Sequence, residues 1–410
     1  MKAKLTIIAL MLAAGTAAMA QGGDFGRWFT GGTLRLDCLR RGSALGDSVW
    51  VERWIDRQAD WHGSRTQLTD PFDNGDYRVV VRDPKSGREL YSRGYSNLFR
   101  EYKDTPQGRT QSAVFEETML LPMPRREVEI ALQNRDADMR LHDQTVVRFR
   151  PGRQRLATMP AAPQAKAWEV HGDPATKLDV AFVMQGFDNV DDRDYEAACA
   201  RMAGVLLGKE PFRSHRDDFN LYFLRADAGV DYNTFGADRY AMTFKLWQLH
   251  DALGTTPCDH VVVVLNNPVY GGGAIYNFYS VSSMHTMAEM VLPHELGHGI
   301  GGLADEYVDE DLSYADLHRT AFEPLEPNIT NMVDFAAKWR HMLADDAVLP
   351  TPPDPRVPRD ECGPLGAYEG AGYSSTGVYR PAMRCMMRDY APFCPVCKER
   401  LEAVINLYTR

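Results

Sequence analysis

Beyond its first twenty residues the chain has no apolar run long enough to cross a membrane, so no transmembrane helix is expected. Positive charge is in deficit, with 46 Lys and Arg against 56 Asp and Glu. Such a surface repels a phosphate backbone, which argues against nucleic acid as a partner. Cysteine is sparse at seven residues, and only Cys394 and Cys397 form a Cys-x-x-Cys pair, without thioredoxin-like surroundings. The acidic stretch at 305–311 lacks the regular loop spacing of an EF-hand, which weakens a calcium reading there.

The first twenty residues read as a secretory signal peptide. Lys2 and Lys4 precede an apolar run at 5–14, and Ala18-Met19-Ala20 is a small-residue cleavage site before Gln21. No cysteine follows directly, so no lipid anchor is expected and the location should be periplasmic or secreted. Removing two lysines leaves 44 basic against 56 acidic residues, a net of −12. The remaining length suits two domains.

From 24 to 155 the pattern is strand-like. Alternation at 33–37, 77–81, 127–132 and 146–149, with turn signals between, suggests a β-sandwich without catalytic residues. Residues 156–175, with Pro160, Pro163 and Pro174, read as a linker. From 176 to 410 apolar strands at 178–184, 220–224 and 260–265 alternate with helical spacing, as in an α/β domain with a mostly parallel sheet. After 265, the run Gly271-Gly272-Gly273-Ala274-Ile275 reads either as an ordinary turn or as a loop into an edge strand. Such a strand could pair with an extended peptide. Five prolines between Pro350 and Pro358 exclude helix and paired strand there.

Within this second region stands His294-Glu295-Leu296-Gly297-His298. On a helix, HExxH sets both imidazoles on one face, where they can share a Zn²⁺, and the glutamate beside them can deprotonate a water. Val291, Leu292, Leu296 and Ile300 give that helix a buried side, and Gly301-Gly302 ends it. Pro293 implies a helix that starts near His294 or kinks there. A hydrolytic site needs a third protein ligand. In the extended pattern HExxHxxGxxH/D that position is Ala304, but with Gly302 as the turn residue Asp305 takes the place, and Glu306 is the alternative.

HELGHGIGGLADEY, followed by LGAYEGAGYSSTGVYRP and RCMMRDYAPFCPVC, resembles the IgA-peptidase family of secreted bacterial zinc metallopeptidases. The resemblance covers about 175–410, and the β-rich region before it is similar to that family's N-terminal domain. It implies a metzincin-like α/β fold, the HExxH helix at the floor of a cleft, and a methionine turn beneath the metal. Met387 is the candidate for that turn, with Met386 as alternative. Tyr307, Tyr373, Tyr379 and Tyr390 lie close enough in sequence to be considered as oxyanion donors. Among the cysteines, Cys362, Cys385, Cys394 and Cys397 are expected to supply a disulfide cross-linking the C-terminal segment, whose pairing the sequence leaves open.

These features describe an exported zinc endopeptidase acting on proteins or peptides, and they say nothing about oligomeric state. Two other functions fit fewer of them. One is an exopeptidase or other amidohydrolase. The other is a glycan- or protein-binding surface protein with a structural or inactive zinc site, in which Glu295 would have no use.

Overall fold

A computed structural model describes residues 24–309, 318 and 321–410. The expected signal peptide and Glu310 and Asp311 of the acidic stretch lie outside the described residues. No described helix is long and apolar enough to cross a membrane.

One helical turn, α1 (Phe25–Trp28), leads into β1 (Phe29–Ser43), β2 (Gly46–Asp60), β3 (Tyr77–Arg82) and β4 (Glu89–Tyr95). The short helix α2 (Leu98–Tyr102) follows, then β5 (Ala113–Pro124), β6 (Val128–Arg135), β7 (Leu141–Phe149) and β8 (Ala157–Thr158). They form two four-stranded sheets, ordered β5-β1-β2-β8 and β4-β3-β6-β7. Alternate residues such as Leu34, Leu36, Val79, Val81, Ile130 and Leu132 point into one shared apolar core. Trp54 on β2 stacks on Phe149 of β7, with ring centroids 5.6 Å apart. The β-rich pattern expected over 24–155 is present as these two sheets, and β8, just beyond it, joins one of them. β2 escapes that reading because it keeps charged and polar residues facing solvent along most of its length.

The expected linker is more ordered than its prolines imply. It holds β8 and also β9 (Lys166–Val170), which pairs antiparallel with the edge of the next sheet. That sheet continues with β10 (Leu178–Gln185), β11 (Phe219–Arg225), β12 (His260–Leu265), β13 (Gly273–Ile275) and β14 (Tyr279–Ser283). Its order is β13-β14-β12-β10-β11-β9; the four central strands are parallel and both edges antiparallel.

The two-residue period of the strands divides this sheet's side chains between two cores. Val180, Phe182, Val262 and Val264 pack beneath the helices α3 (Asp192–Leu207), α5 (Ala288–Gly299) and α7 (Pro395–Thr409). Ala181, Val183, Val261 and Val263 face the other way, into the same core as the β-sandwich and α4 (Leu246–Leu253). The two halves of the chain thus share one continuous apolar core. After α5 come a hairpin, β15 (Tyr368–Ala371) with β16 (Ser374–Arg380), and one helical turn, α6 (Met386–Asp389).

Candidate metal centre and active-site cleft

Helix α5 begins at Ala288, so Pro293 lies inside it rather than at its start. Its cost is one backbone hydrogen bond, and burial of Val291, Leu292 and Leu296 holds the helix across the gap. Leaving the helix, the chain turns at Gly302 with φ of +60°, a conformation that favours glycine. Space requires glycine there as well. A Cβ on Gly302 would lie 2.0 Å from Asn74 Nδ2 and 3.0 Å from the Tyr276 ring. Asn74, from the β-sandwich, donates to the Gly302 carbonyl at 3.2 Å.

The turn returns Asp305 to the two histidines. His294 Nε2 and His298 Nε2 are 3.2 Å apart, and Asp305 Oδ1 lies 3.1 and 3.4 Å from them. Ligand atoms about 2.0–2.1 Å from a tetrahedral zinc would be about 3.3 Å from one another, so the three groups match such an ion. Asp305 Oδ1 is also buried without a hydrogen-bond donor, as a metal-directed oxygen should be. Outer partners fix each group. His294 Nδ1 is 2.9 Å from the Met386 carbonyl and His298 Nδ1 is 2.7 Å from that of Leu303. The Tyr373 hydroxyl donates to Asp305 Oδ2 at 2.5 Å.

Burial disfavours charge on His298, but Asp305 and Glu295 beside it prevail and lift its pKa to about 9. Burial would raise Asp305 too, yet the imidazoles hold its carboxyl well below the usual carboxylate range. Glu295 is pushed up by burial, and the same imidazoles partly offset that rise. Its carboxylate lies against Gly272, where an added Cβ would come within 2.9 Å of Oε1.

These groups line a cleft of about 820 Å³. One rim is Gly271–Ile275, a loop that leads into the edge strand β13 at Gly273–Ile275 rather than an ordinary turn. A second wall comes from the β-sandwich side: Asn74, Asp76, Asn97, Arg100 and Glu101. Burial lifts the Glu101 carboxyl to about 7, against the Tyr240 hydroxyl that donates to it at 2.7 Å. Sequence reasoning missed this wall, because nothing in the strand pattern shows which loops of one domain meet another.

Tyr307, Tyr373 and Tyr390 line the cleft. Tyr379 does not belong with them: it sits on β16, bridged to Thr330 and packed against the helical core. Tyr390 lays its ring edge-on against His294, with centroids 5.7 Å apart, and its hydroxyl is 2.6 Å from that of Tyr270. Tyr373 and Tyr390 both have left-handed backbones, with φ of +68° and +61°. Such strain in non-glycine residues costs about 1–2 kcal/mol each and tends to gather at functional sites.

Met387 packs under the metal helix, and a Cβ on Gly297 would lie 2.4 Å from its Sδ. Met386 contributes its carbonyl to His294 instead. Glu306 turns away from the histidines into a separate buried cluster with Cys385, Cys394 and Cys397. The expected disulfide is not formed: all seven cysteines are free thiols, and Cys385 and Cys397 hold their sulfurs 3.7 Å apart. Cys362, half-buried, donates to the Pro392 carbonyl at 3.3 Å.

Two sequence-family models match the chain. A family model described as IgA Peptidase M64 matches residues 168–361 and 357–405, and one described as Peptidase M64 N-terminus matches 24–145. The chain belongs to the M64 peptidase family. No curated protein matches it. The M64 assignment makes peptides or proteins the substrate class, and within the M64 match lie both metal-type clusters described above.

Proposed function

We propose that this M64 protein is an exported, zinc-dependent endopeptidase. The observation that carries the proposal is the convergence of His294, His298 and the buried Asp305 Oδ1 at ligand spacing, with Glu295 beside them in an open cleft. A zinc ion held by these three groups would polarise a scissile carbonyl and acidify a water. Glu295 takes that water's proton and hands it to the leaving amine; a buried carboxyl with a raised pKa suits both steps. Tyr390, packed on His294, is placed to donate to the oxyanion.

An extended peptide can add antiparallel or parallel to the edge strand β13 beyond Gly272, whose own amide and carbonyl already bond Arg239 and Ala241. A cleft walled by both halves of the chain admits the middle of a polypeptide, which favours internal cleavage. The layout fits a metzincin-like catalytic unit over about 176–410, with Met387 as the methionine turn and a sandwich over 24–155. Export follows from the signal sequence at 1–20.

Replacing Glu295 by Gln should lower cleavage of an unfolded protein by about 10²–10⁴-fold while zinc stays bound. Undiminished cleavage would overturn the role of Glu295, and a purified protein without zinc at the histidines would overturn the site.

A further inference from the structure

The second cluster, Glu306, Cys385, Cys394 and Cys397, has no part in the chemistry above. All four side chains are fully buried. One ligand atom from each lies within 4.8 Å of all the others. They come from three separate places in the chain. Glu306 follows Asp305, Cys385 immediately precedes α6 and the methionine segment, and Cys394 and Cys397 open α7.

We propose that these four residues form a structural Zn²⁺ site of Cys₃Glu type. The spacing suits it. Sulfurs about 2.3 Å from a tetrahedral zinc stand about 3.8 Å apart, and Cys385 and Cys397 are 3.7 Å apart. A sulfur and a carboxylate oxygen on the same ion stand about 3.5 Å apart, and Cys397 Sγ is 3.3 Å from Glu306 Oε1.

The surroundings also suit a charged, metal-held cluster. Glu306 Oε2 is buried without a donor, while Asn328 Nδ2 donates to Oε1 at 2.9 Å. The Cys394 amide donates to Cys385 Sγ at 3.4 Å, an N–H···S bond suited to a thiolate. The N-terminus of α7 and the buried Arg380 both oppose the excess negative charge. A disulfide would use two of the three sulfurs and strand a thiol beside a buried, half-satisfied carboxylate. Soft thiolates in a closed tetrahedron select zinc over the hard cations.

The location gives the site its purpose. Asp305 and Glu306 are neighbours, and the Glu306 amide donates to the Met387 carbonyl at 2.7 Å. A metal on Glu306 would clamp the acidic turn to the methionine segment and to the last helix. It would thereby hold Asp305 against the two histidines.

Elemental analysis of the full-length protein, purified without chelator, tests this directly. Two zinc ions per chain are expected in the wild type, one in His298→Ala and one in Cys397→Ser. After cobalt exchange, the sulfur-to-cobalt charge-transfer band should persist in His298→Ala and vanish in Cys397→Ser. Thiol titration of the denatured, metal-stripped wild type should find all seven cysteines reactive. One zinc in both wild type and Cys397→Ser, or a thiol count lowered by a cross-link, would overturn the site. If Cys397→Ser does not fold, the wild-type zinc count, cobalt band and thiol count decide alone. A protein with the cobalt–thiolate band but no metal at the histidines would retain this site while removing the proposed peptidase function.

Discussion

Tyr373 separates two accounts of the cleft tyrosines, because the same hydroxyl could orient a ligand or stabilise an oxyanion. Its hydroxyl donates to Asp305 Oδ2 at 2.5 Å, while Asp305 Oδ1 faces the histidines. The contact is a hydrogen bond to a charged, buried carboxylate, a class that contributes about 1.5–3 kcal/mol. Tyr373→Phe removes it and leaves the ring that packs on Tyr307, with centroids 5.5 Å apart. At about 1.4 kcal/mol per factor of ten, zinc affinity should fall about 10–100-fold, the usual range for loss of an outer-shell partner. Turnover at saturating zinc should stay within about threefold, since Glu295 and Tyr390 are untouched. Competition against a chromophoric chelator reads the first quantity, and peptide cleavage with excess zinc reads the second. Unchanged affinity with a hundredfold loss of turnover would refute the positioning role and make Tyr373 the oxyanion donor.

Three further perturbations follow from the same structure. Gly302→Ala should destabilise the protein by about 2–4 kcal/mol, from left-handed strain and the clash with Asn74, and Asn74→Ala should recover part of it; denaturant melts showing no loss would contradict the turn. Among the described residues Asp179 accepts from Asn220 at 2.8 Å and has no ion pair with a basic group, and burial together with the charge of Asp259 raises its pKa. A raised carboxyl pKa costs stability progressively as pH climbs above the unfolded value of about 3.9, so Asp179→Asn should stabilise by about 1–3 kcal/mol at pH 8 and by little at pH 4.5; melting curves with equal differences at both pH values would disprove this. Stripping metal with a chelator should abolish cleavage and lower the melting temperature, and added zinc should restore both; activity that survives stripping would sink the metal mechanism.

Much of the candidate metal centre is legible in the sequence because its residues are close together along one helix and one turn. HExxH encodes its geometry through the helical period, and Gly302 marks where the chain can reverse toward Asp305. The strands at 178–184 and 260–265 are legible for a similar reason: burial on both faces leaves a continuous apolar run. The outer layer is hidden because its members are remote. Nothing local to Tyr373 or Asn328 signals that they hold Asp305 and Glu306, across 68 and 22 residues respectively. The cysteines mislead for the converse reason. Their spacing announces cross-linking, but the carboxylate that changes their chemistry stands about 80 residues earlier in sequence, beside the first metal's ligand.

The β-sandwich forms one wall of the candidate cleft rather than an appendage to it. Its Asn74 grips the carbonyl of the glycine that aims Asp305, and Glu101 on α2 meets Tyr240 across the cleft. Its core runs without a break onto one face of the catalytic sheet, where Val183, Leu224 and Val261 are fully or almost fully buried against it. Separating the halves would expose that face to water at about 25 cal/mol per Å² and would release the metal turn from its only sandwich-borne hydrogen bond among the described residues. The same physics that joins the cores therefore fixes the width of the cleft. In the proposed peptidase, a substrate in the cleft meets Arg100, Glu101 and Asp76 as well as the strand β13.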